Sequence, residues 1–371
     1  MTDTTEDLLF DLTLTDEQRM NRDTMVRFAA AEIRTLSKPV DAGDSSASDF
    51  YPKTAELGLT LLPIPEALGG AGVERSPISN ALIYEDLAHG DMAMALGSIS
   101  PLAFVNTLLD QGSDAQREQY LPLFCSGDFK AATTALLEPR ATFEPTEPAT
   151  AATSNADGYS LSGSKSMVPL GLDAELIMVI AQLDDKGPAA FIVEGTPDGM
   201  TRTAEANMGL IGAQLATLNF DQVQLPAEAL LGDGNFDLQR FLDLSRIGIC
   251  ALAVGTCQGV LDYVTPYCNE RVAFGEPISN RQSVAFMIAD MAIELEAMRL
   301  MTWRAASRAE RGLDFHEHTY LAKVFCDKHT MKIGTDGVQL LGGHGFCREH
   351  PVELWYRNLR AIAIIEGLAS A

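Results

Sequence analysis

Glu366 is the residue whose type and surroundings best suit acid–base chemistry in this 371-residue sequence. The apolar run AIAII, residues 361–365, directly precedes it, so we expect its carboxylate to emerge into a partly desolvated place. Desolvation raises the pKa of a carboxylate and makes it a better base toward a weak carbon acid near neutral pH. A glutamate at the end of a helix or strand is also often a solvated charge, and the local sequence leaves that alternative open.

Arg271 is a candidate for binding an anionic ligand. The pattern predicts that a helix ends near Arg271, that a turn follows at Gly275-Glu276-Pro277, and that a new helix begins near Asn280. An arginine at the edge of such a turn can hold a pyrophosphate through paired, charge-assisted hydrogen bonds. The alternative is a surface arginine that complements a helix carboxyl terminus.

The segment QLLGGHGF, residues 339–346, is a second candidate. Gly342 and Gly343 allow the backbone to approach a ligand closely and leave amide groups free for an anion, while Gln339 offers an amide side chain. A pair of glycines after a helix also serves simply as a carboxyl-terminal cap. No Walker loop, GxGxxG, HExxH or nucleophile elbow is present in the sequence.

The elements that must position these residues follow the order helical, β, helical. Apolar residues recur at helical spacing from Thr15 to about Phe124, interrupted by a Pro- and Gly-rich loop at 57–74 and by a helix cap at 111–114. Short β-type runs follow, and long amphipathic helices return from Asn235 onward. The predicted strands lie in YSLSGSKSMV, LIMVIAQL, AAFIVEG and ATLNFDQVQL. The stretch ATFEPTEPATAATS, residues 141–154, predicts an irregular loop.

The composition is typical of a soluble globular protein, with 46% hydrophobic and 21% charged residues. A net charge of −24 opposes binding to nucleic acid or to anionic membranes, and we expect no membrane insertion. The acidic amino terminus carries no Lys or Arg before Arg19, which is the wrong charge for a signal or transit peptide and favours a cytoplasmic location. The six cysteines form no CxxC pair, which favours reduced thiols over a metal or disulfide site.

Several motifs together resemble the acyl-CoA dehydrogenase family over nearly the whole chain. LGLTLLPIPEALGGAGVE followed by ALIYEDLAHGD is similar to its amino-terminal helical domain, and MGLIGAQLATLNFDQVQLPAEALLG to the end of its β domain. RVAFGEPISNRQSVAFMIADM and the series QLLGGHGF, HPVELWYRNLR and IIEG are highly specific to the family. The resemblance implies an α+β multidomain fold: an amino-terminal helical domain (1–125), a middle β-barrel domain (126–235) and a carboxyl-terminal four-helix-bundle domain (236–371).

The resemblance also implies FAD as cofactor and an acyl-CoA thioester as substrate. Matched by position, Glu366 would be the base that removes the α-proton while hydride leaves Cβ for the flavin. Asp243 and Arg246 would line the acyl-CoA site. The FAD contacts would come from Arg271, Phe274 and Gln282, with Arg271 on the pyrophosphate, and from Gln339, Gly342 and Gly343, which would approach the FAD of a neighbouring subunit. The implied partners are an electron-transfer flavoprotein and further subunits, in a homotetramer, a dimer or a hetero-oligomer with a paralogue.

The sequence departs from the family pattern at the expected flavin face. Leu137 replaces a hydroxyl residue, and Met167, Val168 and Pro169 stand where the family has an aromatic residue, Ile, and Thr or Ser. Proline cannot donate a hydrogen bond through its side chain or its backbone. Three hypotheses follow: an acyl-CoA dehydrogenase with an unusual flavin face, a non-catalytic subunit that pairs with a competent paralogue, or a flavin oxidase or monooxygenase component of the same fold.

Overall fold

The computed structural model describes residues 13–371, so the first twelve residues of the acidic amino terminus lie outside the described part. The amino-terminal region is helical, as predicted. Thr15 and Ser113 each begin a helix with a reciprocal capping box, in which the third helical residue is a glutamine. The helices are α1 (Asp16–Phe28), α2 (Arg34–Ala42), α3 (Tyr51–Thr54), α4 (Pro77–Gly90), α5 (Met92–Gln111) and α6 (Asp114–Tyr120).

The middle region is a seven-stranded sheet within the described residues. The strands are β1 (Ala132–Ala135), β2 (Ala151–Asn155), β3 (Gly158–Val168), β4 (Leu176–Leu183), β5 (Gly187–Glu194), β6 (Met200–Ala204) and β7 (Ala216–Pro226). Their order in the sheet is β1-β4-β2-β3-β7-β6, with β5 paired to β4. β1 and β2 run parallel to β4, whereas the other pairs are antiparallel.

The predicted strands correspond to β3, β4, β5 and β7, and the sequence patterns missed β1, β2 and β6. The prediction of an irregular loop over 141–154 is wrong at its end, because Ala151–Asn155 forms β2. β2 is Thr-, Ser- and Ala-rich with one buried residue, so it shows little hydrophobic alternation. It is a strand because β3 and β4 pair with it on both sides.

The carboxyl-terminal region is a helical bundle whose longest member is α7 (Leu238–Glu270). α7 ends one residue before Arg271, as predicted, and a small hairpin, β8 (Val272–Ala273) and β9 (Glu276–Pro277), leads to α8 (Gln282–Glu310). α9 (His316–Leu341) and α10 (Val352–Leu359) complete the bundle. α7 also packs closely on α4 of the amino-terminal region, because a Cβ at Gly255 would lie 1.9 Å from the Glu85 carbonyl oxygen.

Within the described residues, two helices have the length and mean hydropathy of a membrane span, α5 and α7. Their analysed windows are 94% and 78% buried inside the protein. Their apolar character is therefore accounted for by packing in the core. Cys250, Cys257, Cys268 and Cys326 are buried as well, and all six cysteines are free thiols.

A buried ion pair joins β3 to the segment that follows β1. Lys165 is fully buried, and its ammonium donates to Glu138 Oε1 at 2.9 Å and to the Leu136 carbonyl at 2.9 Å. Glu138 also accepts hydrogen bonds from the amides of Ala149 and Thr150. Burial disfavours the ionised carboxylate, but the Lys165 charge and these hydrogen bonds outweigh it and lower the pKa of Glu138.

We predict that Glu138→Gln lowers the free energy of unfolding by about 3 kcal/mol, because it leaves the Lys165 charge buried without its counter-ion. Glu138→Gln combined with Lys165→Met should lose less than the single variant, since no uncompensated charge then remains. Urea denaturation of Glu138→Gln and of the double variant measures the two losses in free energy of unfolding. A double variant that loses as much as Glu138→Gln, or more, would contradict the ion-pair explanation.

The same pair predicts a pH dependence. The folded-state pKa of Glu138 is about 2, below its unfolded value of about 4.3. Its contribution to stability is therefore complete above about pH 4.3 and is lost as the pH falls through the lowered value. Between about pH 6 and about pH 2, the free energy of unfolding should decline less steeply in Glu138→Gln than in the unaltered protein.

Candidate active site

Glu366 follows a tight turn at residues 361–365, which continues from the end of α10. The turn is closed by hydrogen bonds from the amides of Ile364 and Ile365 to the Ala361 carbonyl. The Glu366 side chain is 16% exposed, and Arg246 Nε of α7 donates to both of its carboxylate oxygens, at 3.2 and 3.0 Å. The predicted base is therefore a half-buried carboxylate held by a cation.

Lys323 of α9 is a second cation at this carboxylate. Its Nζ lies 3.9 Å from Glu366 Oε1 and donates to the Ile362 carbonyl at 3.0 Å and to Asp327 Oδ1 at 2.8 Å. The side chain is 7% exposed. Sequence reasoning missed this residue, because only the fold brings α9 against the turn that precedes Glu366.

The residue after the base contacts the end of β1. The Thr134 hydroxyl donates to the Gly367 carbonyl. Gly367 has a φ of +74°, and a Cβ there would lie 2.6 Å from Leu136 Cδ2. This position requires glycine, since an L side chain is strained at such a φ and would overlap Leu136. Glu366 therefore lies beside the strand end that continues into Leu137.

Residues 368–371 are buried between α4, α5 and α7. The Ser370 carbonyl accepts hydrogen bonds from Tyr84 Oη at 2.9 Å and from Asn106 Nδ2 at 3.0 Å. The Ala369 amide donates to Ser245 Oγ. Because this segment is anchored immediately after Gly367, the backbone of Glu366 is fixed on both of its sides.

Asp243, the other predicted substrate-site residue, lies one helical turn before Arg246. It is buried, and its carboxylate lies 2.9 Å from His316 Nδ1, accepts from Gln239 at 3.1 Å, and lies 3.9 Å from Arg246. Burial raises the pKa of Asp243, while His316 and Gln239 oppose the shift. The structure places Asp243 beside the base as a support for Arg246.

The expected flavin-face residues lie together at the end of β3. The Ser166 amide donates to the Leu137 carbonyl at 2.9 Å, which joins this loop to the segment that follows β1. The pairing of β3 with β7 shifts register between Lys165 and Val168, and Met167 has a φ of +52°. The Met167 amide donates to Glu205 Oε1 at 2.8 Å. Pro169 has no amide hydrogen, so neither residue 167 nor residue 169 offers a free backbone donor.

The predicted nucleotide-binding residues of the hairpin and of α8 lie at the surface. Phe274 is 93% exposed, at the tip between β8 and β9, with a φ of +57°. Arg271 and Gln282 are exposed, and the Arg271 guanidinium makes no ion pair with any residue from 13 to 371. Arg281 lies over the Phe274 ring, with its guanidinium carbon 5.1 Å from the ring centroid. Arg271 is thus available to an external anion.

The turn after α9 lies beside the same end of α7. Tyr267 Oη lies 2.8 Å from His344 Nδ1 and donates to the Leu341 carbonyl at 3.5 Å. Gln339, Gly342 and Gly343 are exposed, and a Cβ added at either glycine would meet no atom within 4 Å. The glycines therefore face open space, which suits the close approach of a ligand better than a packing role.

The predicted site residues consequently form two groups at opposite ends of α7. Arg246, with Glu366 and Asp243, belongs to one end, and Arg271, with the turn at Gly342, to the other. Arg246 and Arg271 are 25 positions apart, or about 37 Å along the helix. The two groups are therefore widely separated along one rigid helix.

Comparison with known proteins identifies the family of this chain. The chain matches the acyl-CoA dehydrogenase N-terminal domain over residues 15–128, the middle domain over 133–223 and the C-terminal domain over 232–369. It belongs to the acyl-CoA dehydrogenase family. The predicted three-domain architecture and FAD as the cofactor of the family are confirmed.

Three family relatives illustrate the similarity. The mitochondrial short-chain specific acyl-CoA dehydrogenase of Bos taurus is 32% identical, over 95% of this chain and 87% of that protein. The caffeyl-CoA reductase-Etf complex subunit CarC of Acetobacterium woodii is 31% identical, over 95% of each protein. The butyryl-CoA dehydrogenase structure from Megasphaera elsdenii superposes with a TM-score of 0.88, at 30% identity, over 96% of this chain and 95% of that one.

The residues of the candidate site fit the nucleotide side of FAD better than its ring side. Within residues 13–371 the Arg271 guanidinium has no ion-pair partner, and the open turn at Gly342 and Gly343 offers close backbone approach, so the nucleotide side suits the group. The ring side is apolar at Leu137 and has no donor at Pro169. The residues present therefore fit the pyrophosphate and an apolar ring face, with fewer hydrogen bonds to the ring than the family pattern provides.

We predict that Gly367→Ala destabilises the protein by about 2 kcal/mol, because alanine is strained at a positive φ and its Cβ would overlap Leu136. Gly343→Ala is the matched control and should change stability by less than about 0.5 kcal/mol, since its Cβ would meet open space. Urea denaturation in the absence of added FAD measures both. Equal losses would show that the contact at Leu136 does not constrain residue 367.

Proposed function

We propose that this protein catalyses the FAD-dependent α,β-dehydrogenation of an acyl-CoA thioester, with Glu366 as the base. The observation that carries the proposal is the position of Glu366: its carboxylate is half-buried and paired with Arg246, and the next residue, Gly367, packs against Thr134 and Leu136 at the end of β1. Leu136 directly precedes Leu137, which the family resemblance assigns to the flavin face. A carboxylate on one side of the acyl chain and a hydride acceptor on the other are what the elimination requires.

The residues around Glu366 support this role. Its carboxylate would accept the α-proton, and Arg246, which donates to both carboxylate oxygens, would hold it in place. The Glu366 amide donates no hydrogen bond to any residue of the described chain, so it is available to polarise the thioester carbonyl. When bound, FAD supplies the hydride acceptor at its N5 atom.

The names of the relatives suggest the substrate class and the electron acceptor. The bovine protein is a short-chain dehydrogenase and the Megasphaera protein a butyryl-CoA dehydrogenase, so we propose a short saturated acyl-CoA. The Acetobacterium protein is a subunit of a complex with an electron-transfer flavoprotein, and we propose such a flavoprotein as acceptor. We also propose a cytoplasmic location, on the basis of the acidic amino terminus.

A second candidate function rests on the flavin face. Leu137 and Pro169 remove two hydroxyl contacts expected there, which favours a subunit that binds the nucleotide of a competent paralogue without turnover of its own. An oxidase or monooxygenase of the same fold is the third candidate. Retention of Glu366, held by Arg246, favours the dehydrogenase.

We predict that the purified chain is yellow and that butyryl-CoA bleaches its flavin band under anaerobic conditions. Glu366→Gln should retain the flavin but bleach at least about a hundredfold more slowly, because the general base is lost. Stopped-flow absorbance measures both. A colourless protein that stays colourless after addition of FAD would support the non-catalytic subunit, and rapid reoxidation of the bleached protein by air would support an oxidase.

We propose further that the working protein is a homo-oligomer in which each flavin site uses two chains. The two residue groups lie about 37 Å apart along α7, which favours a flavin site built from two chains. The surface near the second group also exposes large apolar side chains, as an interface between subunits requires. These side chains are Val272, Phe274, Phe286 and Phe346.

We predict complementation between Glu366→Gln and Arg271→Ala. Each homo-oligomer alone should be nearly inactive in bleaching. Co-expression should restore about a quarter of the unaltered activity, because mixed pairs contain one site with both residues intact. Separately expressed and then mixed proteins, which exchange subunits slowly, serve as the control. Absence of recovery in a verified mixed oligomer would show that Glu366 and Arg271 serve the same site from one chain.

A further inference from the structure

Lys323 is a buried cation beside the proposed base, Glu366. Its side chain is 7% exposed, whereas Lys328 and Lys332 on the same helix are exposed to solvent. A lysine and an aspartate four residues apart on a helix, such as Lys323 and Asp327, usually form their pair on a solvated face. Burying an ammonium is costly unless several groups compensate it.

The compensating groups are those that shape the base. Lys323 Nζ donates to Asp327 and to the Ile362 carbonyl and lies 3.9 Å from Glu366 Oε1. Ile362 belongs to the turn 361–365 that immediately precedes the base. The Lys323 ammonium therefore contacts both the turn that orients Glu366 and the Glu366 carboxylate itself.

The charges that face Glu366 come from two helices. α7 contributes Arg246 and Asp243, which lie 3.9 Å apart. α9 contributes Lys323, with Asp327 on its other side, and His316, which is bound to Asp243. Arg246 is 16% exposed and is shared with Asp243. Lys323 is anchored by two hydrogen bonds and remains in place.

We propose that Lys323 is a positioning residue for Glu366, which fixes the turn 361–365 through the Ile362 carbonyl and keeps the carboxylate ionised when substrate excludes water. This inference rests on the proposed function of Glu366 as base. A cation within about 4–6 Å favours the ionised form of a carboxylate, and the effect grows as the site loses water.

The test follows the ionisation of Glu366 by ¹³C NMR of glutamate-labelled protein, with Glu366→Gln identifying the signal. Lys323→Gln can still donate to the Ile362 carbonyl but has no charge. It should raise the midpoint of the Glu366 titration by about one pH unit. Lys323→Arg should restore most of the shift, and the exposed Lys328→Gln is the matched control and should leave the midpoint unchanged.

A midpoint in Lys323→Gln equal to that of the unaltered protein would overturn the inference and leave Lys323 a purely structural residue. If Lys323→Gln does not fold, Asp327→Asn is measured instead. It removes a negative charge that competes for Lys323, so the midpoint should fall, and an unchanged midpoint would again overturn the inference. Because the NMR titration needs no turnover, a protein that fails to bleach with butyryl-CoA refutes the proposed function without deciding this result.

Discussion

The structure depends on holding one half-buried carboxylate between cations from two different helices. Glu366 can sit away from bulk water because Arg246 of α7 and Lys323 of α9 offset the cost of its desolvation. Those helices must lie against the turn 361–365, and β1 must reach the other side of the base, where Thr134 and Leu136 contact Gly367. The packing of all three regions is therefore tied to the placement of a single functional group.

The long helix α7 separates the two groups of candidate site residues. It carries Arg246 near its beginning and ends immediately before Arg271, so the base and the pyrophosphate-binding candidate are held rigidly apart. A rigid spacer of this length supports the proposal that each flavin site uses residues from two chains. The exposed Phe274 and Phe346 near the second group then have a physical explanation, because a neighbouring subunit can cover them.

Much of the fold could be predicted from the sequence because the local patterns agreed with the tertiary structure. Helix caps at Thr15 and Ser113, the end of α7 before Arg271, and the strands β3, β4, β5 and β7 all follow from residues that act within a few positions of each other. β1, β2 and β6 were missed because they are short and their strand conformation comes from pairing with distant segments. The predicted loop at 141–154 was wrong at β2 for the same reason.

The sequence by itself determined the family and the identity of the candidate base, because those depend on motifs whose residues are contiguous or nearly so: QLLGGHGF, HPVELWYRNLR and IIEG. It also determined that the ring side is poor in hydrogen-bond donors, since Pro169 lacks one in any fold. Only the tertiary structure decided that Lys323 faces Glu366, that Asp243 is bound to His316, and that the two groups of site residues lie at opposite ends of α7. These are distances between residues remote in sequence, and the packing of helices and strands fixes them.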